Sequence, residues 1–121
     1  MSFWWDDLGG LRRTRDPLAG ALECDVAIVG AGMTGLWTAL ELRRAAPELD
    51  VVVLEREAAG FGASGRNGGW VVGDLAGRPS AALIAAIRET VDEVAAAVAR
   101  EEIDCDLVKG GTLSVAVDDV N

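Results

Sequence analysis

Residues 24–55, CDVAIVGAGMTGLWTALELRRAAPELDVVVLE, contain the pattern that decides the fold. The run CDVAIVG is short, apolar and rich in β-branched residues, and the glycine that ends it is typical of a buried strand. Leucines and alanines from Thr34 to about Ala46 predict a helix, which Pro47 ends. The run DVVVLE at 50–55 predicts a second buried strand. The stretch is therefore a predicted βαβ unit with parallel strands and a right-handed crossover.

The turn between the first strand and the helix is a G-x-G-x-x-G motif, Gly30-Ala31-Gly32-Met33-Thr34-Gly35. Its first glycine permits a tight turn, its second lets the backbone approach a pyrophosphate, and its third lets the helix pack against the strand. The helix N-terminus adds unpaired N–H groups and partial positive charge, which favour phosphates. Glu55 follows about twenty residues later, where an acidic side chain binds ribose hydroxyls and repels a 2′-phosphate. The sequence predicts a dinucleotide site, disfavours NADP and leaves NAD and FAD open.

Three further segments follow Glu55. Residues 60–78 are rich in glycine and have no hydrophobic period, which predicts a loop. Ser80 is a predicted N-cap of an amphipathic helix that extends to about Glu102. The apolar stripe of that helix, interpreted as core rather than as cofactor contact, is Ile84, Ile87, Val91, Val94 and Val98. Residues 105–119, CDLVKGGTLSVAVDD, predict two strands joined at Gly110-Gly111 as a hairpin.

The N-terminal residues 1–22 show no clear period and predict an arm. Four apolar side chains could anchor this arm to a larger body: Phe3, Trp4, Trp5 and Leu8. A basic cluster is interpreted as solvated: Arg12, Arg13 and Arg15. Two parallel strands are too few for a doubly wound sheet, and the chain stops directly after its last strand signal. We therefore expect the N-terminal part of a longer protein, with apolar surface exposed along the sheet edge and the helix stripe.

Composition excludes several classes of function. The chain has 121 residues, a net charge of −9 and no histidine, which argues against nucleic-acid binding and against imidazole chemistry. Cys24 and Cys105 match no metal-ligand spacing, so no metal site is predicted, and each is expected to be a buried free thiol in a reducing cytosol. The acidic N-terminus does not resemble a signal peptide, and the uncharged residues 26–40 are too few to span a bilayer. We expect a cytoplasmic protein that binds no membrane.

The stretches DVAIVGAGMTGLWTALEL and VVVLEREAAGFGASGRNGG resemble the FAD-dependent amine and amino-acid oxidases of the D-amino-acid oxidase superfamily, in their gamma-glutamylputrescine oxidase-like branch. The resemblance covers roughly residues 3–117, and GASGRNGG at 62–69 is its most specific part. It implies an α/β fold with a Rossmann-type FAD-binding βαβ unit, followed by the start of an α+β substrate domain. The implied divisions are an arm at 1–22, an FAD-binding part at 23–78 and the start of the substrate domain at 79–121. FAD is expected to be non-covalent, because the chain lacks histidine and neither cysteine lies in the loop.

The resemblance also implies which residues contact FAD. The helix start would hold the pyrophosphate region, Glu55 would bind the adenosine ribose, and Arg56 would lie beside the adenine. The residues implied at the helix start are Gly30, Gly32, Met33, Thr34 and Gly35. The loop would run along the pyrophosphate and the ribityl chain to the flavin. Its implied contacts are Gly62, Ala63 and Ser64 on the phosphate side, Arg66 against the phosphate charge, and Asn67, Gly68 and Gly69 beside the isoalloxazine ring. Consecutive small residues also expose backbone N–H groups, as an anion-binding nest does.

The activity implied by the resemblance is oxidation of a C–N bond in an amine or amino acid. A hydride passes from the substrate carbon to the flavin, the resulting imine hydrolyses, and oxygen reoxidises the flavin to give peroxide. No catalytic residue is assigned within residues 1–121, so we expect the chain alone to be inactive. Neither the particular substrate nor the oligomeric state follows from the sequence. Two alternatives stay open: part of an NAD-dependent dehydrogenase, which the glycine-rich loop disfavours, and a non-catalytic nucleotide-binding chain.

Overall fold

The computed structural model describes residues 2–11, 15–113 and 115. The chain divides into two compact units, the first ending at Gly68 and the second beginning at Gly69. In chain order the elements are α1 (Phe3–Asp7), β1 (Val26–Val29), α2 (Met33–Ala45), β2 (Val51–Leu54), a 3₁₀ turn (Ala63–Gly65) and α3 (Ala81–Arg100).

β1 and β2 of the first unit form a parallel two-stranded sheet, with Val26 opposite Val51 and Val29 opposite Leu54. The helix α2 connects the two strands and packs against both. It begins at Met33, directly after Gly32, and its C-cap is Ala46, which precedes Pro47. The predicted mixed α/β architecture with a small parallel sheet is confirmed, and the bounds of α2 differ from the prediction by one residue at each end.

The strands are half-buried, whereas the sequence predicted buried strands. Along β1, Val26 and Ile28 are half-buried while Ala27 and Val29 are exposed, and Val29 keeps 87% of its surface accessible. A single helix covers one face of a sheet, while parallel strands normally have both faces covered. The alternation along β1 follows from this one-sided packing, and the exposed apolar surface agrees with the expectation for the sheet.

The N-terminal arm contains the short helix α1, which was not predicted from the sequence. The Ser2 hydroxyl caps α1 by accepting a hydrogen bond from the Trp5 N–H at 3.4 Å, and Asp6 places negative charge in the first turn. A helix of five residues is too short to show an apolar repeat, so its only sequence signal is this cap. Of the predicted basic cluster, Arg12 and Arg13 lie outside the described residues, and Arg15 is exposed.

The second unit is built around α3, which starts after Ser80 as predicted. The Ser80 hydroxyl accepts a hydrogen bond from the Leu83 N–H at 3.2 Å. The predicted stripe is half-buried rather than exposed: Ile84, Ile87, Val91, Val94 and Val98. Residues of the same unit pack on this helix, since a Cβ built on Gly73 would lie 3.1 Å from Cγ of Arg88. The stripe that we expected to be open is therefore partly covered, and at Val91 a residue of the same unit, Gly73, lies beside it.

The segment after α3 departs from the prediction. Residues 103–113 and 115 contain no strand, and the rest of the predicted hairpin, at 114 and 116–119, lies outside the described residues. Cys24 and Cys105 are both free, but Cys24 is half-buried and Cys105 is exposed, so the predicted burial of the thiols is wrong. Cys24 precedes β1 and Cys105 lies in the irregular segment after α3. Among the described residues, no helix combines the length and the apolar character needed to cross a membrane.

Candidate dinucleotide site

The turn from β1 into α2 depends on two glycines. Gly30 has a φ of +102°, a conformation that L side chains rarely adopt, and its N–H donates to the Leu54 carbonyl at 2.8 Å. A Cβ on Gly35 would overlap the carbonyl oxygen of Gly30 and would lie 3.3 Å from Cγ2 of Ile28. The first glycine therefore forms the tight turn, and the third lets α2 approach β1.

The β1–α2 turn and the N-terminus of α2 together present five backbone N–H groups. Two have partners: Ala31 donates to Oε2 of Glu55, and Met33 donates to Oγ of Ser64, both at 2.9 Å. The other three have no hydrogen-bond partner in the described part of the chain, and they belong to Gly32, Thr34 and Gly35. Because the first N–H groups of a helix have no intrahelical acceptor, they can bind an anion. The donors at this turn therefore fit a phosphate group.

Glu55, directly after β2, links the two strand ends of the site. Its second carboxylate oxygen, Oε1, accepts a hydrogen bond from the Glu57 N–H at 3.0 Å. The hydrogen bond from Glu57, followed by that from Ala31, lowers the pKa of Glu55 below its ordinary value of 4.5. The side chain is thus a carboxylate at neutral pH, and each oxygen keeps a further lone pair that can accept a hydrogen bond from a hydroxyl. This is the chemistry that a ribose diol requires.

Ser64 brings the glycine-rich loop to the helix start. Its hydroxyl oxygen accepts the Met33 N–H, which leaves the hydroxyl hydrogen to donate elsewhere. A Cβ built on Gly32 would lie only 3.0 Å from Oγ of Ser64, so the second glycine of the motif keeps this approach open. The two glycine-rich segments predicted to bind one cofactor therefore meet at the Met33–Ser64 hydrogen bond.

The glycine-rich segment of the first unit is folded onto itself and onto the β1–α2 turn. The Gly60 N–H donates to the Ala31 carbonyl at 2.8 Å, and a Cβ on Gly65 would overlap the Gly60 carbonyl oxygen. Nδ2 of Asn67 donates to the Ser64 carbonyl at 2.8 Å. The segment therefore has a defined conformation with a 3₁₀ turn at Ala63–Gly65, although the sequence predicted only a loop.

The two arginines predicted at the cofactor have other partners in this structure. The Arg56 side chain is 87% exposed and pairs with Glu57 at 3.2 Å. Nε of Arg66 donates to the Phe61 carbonyl at 3.1 Å, and its guanidinium lies 5.0 Å from the centroid of the Phe61 ring. Their predicted roles beside the adenine and the phosphates remain predictions.

The remaining predicted residues lie in the loop. Gly62, Ala63 and Gly68 are exposed in the first unit, whereas Gly69 belongs to the second unit. In the part of the chain that the structure describes, no three side chains of the metal-ligating types cluster together.

Sequence reasoning missed two contacts to this loop from the arm. The Ser2 hydroxyl donates to the Gly65 carbonyl at 3.1 Å, and Nε1 of Trp4 donates to the Asn67 carbonyl at 2.7 Å. Each contact joins residues that are 63 positions apart, so no local pattern could reveal them. The only local features that could have pointed to these contacts are Ser2 and the aromatic residues 3–5 that follow it.

The chain is similar in sequence to one family of known proteins and to several individual relatives. Residues 25–121 match the model of the DAO family, described as FAD dependent oxidoreductase. The chain is 40% identical over 115 residues to gamma-glutamylputrescine oxidoreductase from Escherichia coli K12, a match that covers 86% of this chain and 26% of that protein. It is 46% identical over 56 residues to the probable oxidoreductase OrdL of Haemophilus influenzae, covering 46% of this chain and 12% of the relative.

A third relative is the chloroplastic thiamine thiazole synthase of Chlamydomonas reinhardtii, with 47% identity over 53 residues, 44% of this chain and 13% of the relative. The chain thus spans about a quarter of the Escherichia coli protein and a smaller share of the other two. No solved structure matches the chain significantly.

Proposed function

The chain belongs to the DAO family of FAD-dependent oxidoreductases, and from this membership we propose that it forms the FAD-binding part of an enzyme that oxidises the C–N bond of an amine or amino acid. The observation that carries the proposal is the hydrogen bond between the Met33 N–H and Oγ of Ser64. This bond unites the helix start with the glycine-rich loop, so that one extended ligand can contact both.

The residues available to hold FAD follow from the donors and acceptors of the site. The free N–H groups of Gly32, Thr34 and Gly35, with the Ser64 hydroxyl, would bind the pyrophosphate. The Glu55 carboxylate would accept hydrogen bonds from the adenosine ribose. The segment from Gly62 onward would follow the ribityl chain, and Asn67, Gly68 and Gly69 would approach the ring. Gly30 and Met33 would shape the turn. Arg56 and Arg66 would contact the cofactor only after their side chains leave Glu57 and Phe61, respectively.

FAD supplies two-electron redox chemistry when it is bound. The proposed reaction removes a hydride from the carbon next to the substrate nitrogen and a proton from that nitrogen, so that the C–N single bond becomes an imine. Water then hydrolyses the imine to a carbonyl compound and an amine or ammonia, and oxygen receives the two electrons to give peroxide. The part of this chain in the reaction is to bind and orient the cofactor, and binding is proposed to be non-covalent.

The substrate class is proposed from the chain's relatives. The name of the Escherichia coli relative specifies gamma-glutamylputrescine, which is an amine derivative. An amine or an amino acid is therefore the class to test first for the protein that contains this chain. We further propose a cytoplasmic location, a Rossmann-type FAD-binding part at 23–78, and the start of a substrate domain at 79–121.

An absorbance spectrum of the intact protein tests the proposal directly. Oxidised flavin gives bands at about 375 and 450 nm, and we expect both in the purified protein. Release of the flavin by heat or acid precipitation would support non-covalent binding. Peroxide formation across a panel of amines and amino acids would then identify the substrate class. A colourless protein that binds NAD tightly would contradict the proposal and favour a dehydrogenase.

A matched pair of glutamate variants tests the site itself. Glu55→Gln keeps the size of the side chain but removes the carboxylate, so FAD should bind about tenfold more weakly, as for loss of a charge-assisted hydrogen bond. Glu48→Gln is the control, because Glu48 is exposed in the same unit and makes no side-chain hydrogen bond in the described residues. FAD affinity is measured by the quenching of flavin fluorescence during titration of the apoprotein. Equal affinities of the two variants would place the ribose elsewhere.

A further inference from the structure

The N-terminal helix and its N-cap residue Ser2 contact the glycine-rich loop through two side chains, and cofactor binding does not require either contact. We propose that α1 is a positioning element for residues 60–68, the cofactor loop, and that Trp4 is its main positioning residue. By holding the Asn67 carbonyl on the side of the arm, Trp4 keeps the Gly68 N–H directed to the opposite side, where it can donate to the cofactor. The role of Gly68 toward FAD rests on the proposed function, whereas the hold of the arm on the loop does not.

The contacts themselves are specific. Nε1 of Trp4 donates to the Asn67 carbonyl at 2.7 Å, and the Ser2 hydroxyl donates to the Gly65 carbonyl at 3.1 Å. The ring of Trp4 is held by Phe3 in an edge-to-face arrangement, with centroids 5.2 Å apart and planes at 79°. Both donors come from the first residues of the chain, and both acceptors lie on the 3₁₀ turn or just after it.

Peptide geometry converts these contacts into an orientation. The chain has no cis peptide bond in the described residues, and in a trans peptide the C=O and the following N–H point in opposite directions. Fixing the Asn67 carbonyl therefore fixes the direction of the Gly68 N–H. That N–H has no hydrogen-bond partner among the described residues, whereas the neighbouring Arg66 N–H is already used, since it donates to the Ala63 carbonyl at 3.2 Å. Gly68 is thus the free donor whose direction the arm sets.

The glycines at the end of the cofactor loop explain why contacts from the arm would matter. Gly68 and Gly69 lack side chains, and glycine loses more conformational freedom on ordering than any other residue. Without the arm, the Asn67–Gly68 peptide could rotate, and cofactor binding would then have to bear the full cost of ordering it. Preorganisation by α1 predicts tighter cofactor binding from residues that never touch the cofactor.

The arm also provides its own matched control. Nε1 of Trp5 is buried and has no hydrogen-bond partner among residues 2–11, 15–113 and 115, although Trp5 belongs to the same helix. Trp4→Phe removes an indole N–H that bonds to the loop, and Trp5→Phe removes one that bonds to nothing in the described structure. Both substitutions keep an aromatic ring, and because Trp5 is the more buried of the two, a general loss of packing should affect Trp5→Phe at least as much as Trp4→Phe.

The experiment compares the two variants in the intact protein, first without cofactor. Hydrogen–deuterium exchange measured by NMR or by mass spectrometry should show faster exchange at residues 65–68 in Trp4→Phe than in Trp5→Phe. In the second step, FAD titration should give a dissociation constant about two- to tenfold higher for Trp4→Phe, as expected for loss of one hydrogen bond, and an unchanged constant for Trp5→Phe. The absorption band of the bound flavin at about 450 nm should shift in Trp4→Phe alone.

A second variant keeps the proposal testable if Trp4→Phe does not fold. Ser2→Asp retains an oxygen that can cap α1, but an ionised carboxylate cannot donate to the Gly65 carbonyl. It should therefore reproduce the faster exchange of the loop while leaving α1 capped. Equal exchange of the loop in Trp4→Phe, Ser2→Asp and Trp5→Phe would overturn the proposal. If the unchanged protein bound no FAD, the proposed function would fail, and the exchange comparison would still decide whether α1 positions the loop.

Discussion

At Gly35 a single methyl group decides whether α2 can pack against β1. A Cβ there would overlap the Gly30 carbonyl oxygen, which belongs to the backbone and cannot rotate away as a side chain could. We expect Gly35→Ala to destabilise the apoprotein by about 1–3 kcal/mol, the usual cost of overpacking a tight contact. Thermal or urea unfolding followed by circular dichroism measures this loss.

Gly20→Ala is the control for that prediction. Gly20 lies in the same unit, and a Cβ built on it meets nothing within 4 Å. The control should unfold within about 0.5 kcal/mol of the unchanged protein, as exposed substitutions usually do. Equal stability of Gly35→Ala and Gly20→Ala would mean that α2 does not approach Gly30 as the structure describes.

Glu55 couples the site to pH. Hydrogen bonds from the Glu57 and Ala31 N–H groups lower the pKa of Glu55 below 4.5 in the folded chain. A lowered pKa stabilises the folded state at pH values above the unfolded pKa, and this contribution is lost as the pH falls through the folded value. The advantage of the unchanged protein over Glu55→Gln should thus be present near pH 7 and shrink below about pH 4.5.

The measurement for Glu55 is the difference in unfolding midpoint between the two proteins across that range of pH. Glu48→Gln again serves as the control, because its side chain makes no hydrogen bond in the described residues. A difference between the unchanged protein and Glu55→Gln that stayed constant down to about pH 3 would contradict the lowered pKa.

Among the elements, α3 has the most clearly defined start. Ser80 accepts the Leu83 N–H at 3.2 Å, so Ser80→Ala should leave that donor unsatisfied and cost about 1 kcal/mol of stability. Ser80→Asn retains a capping oxygen and should cost much less. Urea denaturation of the three proteins gives the comparison, and an equal loss in both variants would show that the hydroxyl does not cap α3.

The bounds of α2 and α3 could be predicted because their signals are local. Gly32 and Pro47 bracket the first helix, and Ser80 with its apolar repeat defines the second. The parallel pairing of β1 and β2 followed from the helix between them, since parallel strands need a crossover. Local sequence signals were therefore enough to predict the βαβ unit, the turn at Gly30 and the position of Glu55 after the second strand.

The rest of the site depends on contacts that no local pattern contains. The Met33–Ser64 hydrogen bond joins residues 31 positions apart, and the Trp4–Asn67 bond joins residues 63 apart. The helix α1 is too short to repeat an apolar position, so only its cap signals it. Burial of the strands and of the two thiols was predicted from residue type, but burial is set by what covers a residue in the fold.

At the scale of the whole chain, large apolar side chains are exposed in both units. Val29 in the first unit is 87% exposed, and Trp70 in the second unit is 88% exposed, as Leu113 is. Extensive exposed apolar surface is characteristic of interaction sites or of a tendency to aggregate. The purified 121-residue chain should therefore bind an apolar dye such as anilinonaphthalene sulfonate and should self-associate in a concentration-dependent way. A reductant in the buffer keeps the two free cysteines from forming disulfides between chains.

Paired surface variants make this last prediction specific. Trp70→Ser removes the large exposed ring and should lower dye fluorescence per chain, while Glu89→Ser changes an exposed polar residue of α3 and should leave it unchanged. Far-UV circular dichroism must show equal helix content in both variants, because an unfolded chain would bind dye for a different reason. If the chain is part of a longer enzyme, as proposed above, that longer protein should bind less dye per mole than the 121-residue chain. A monomeric, dye-free 121-residue chain would contradict the exposure described, since neither unit could then present Val29 or Trp70 to solvent.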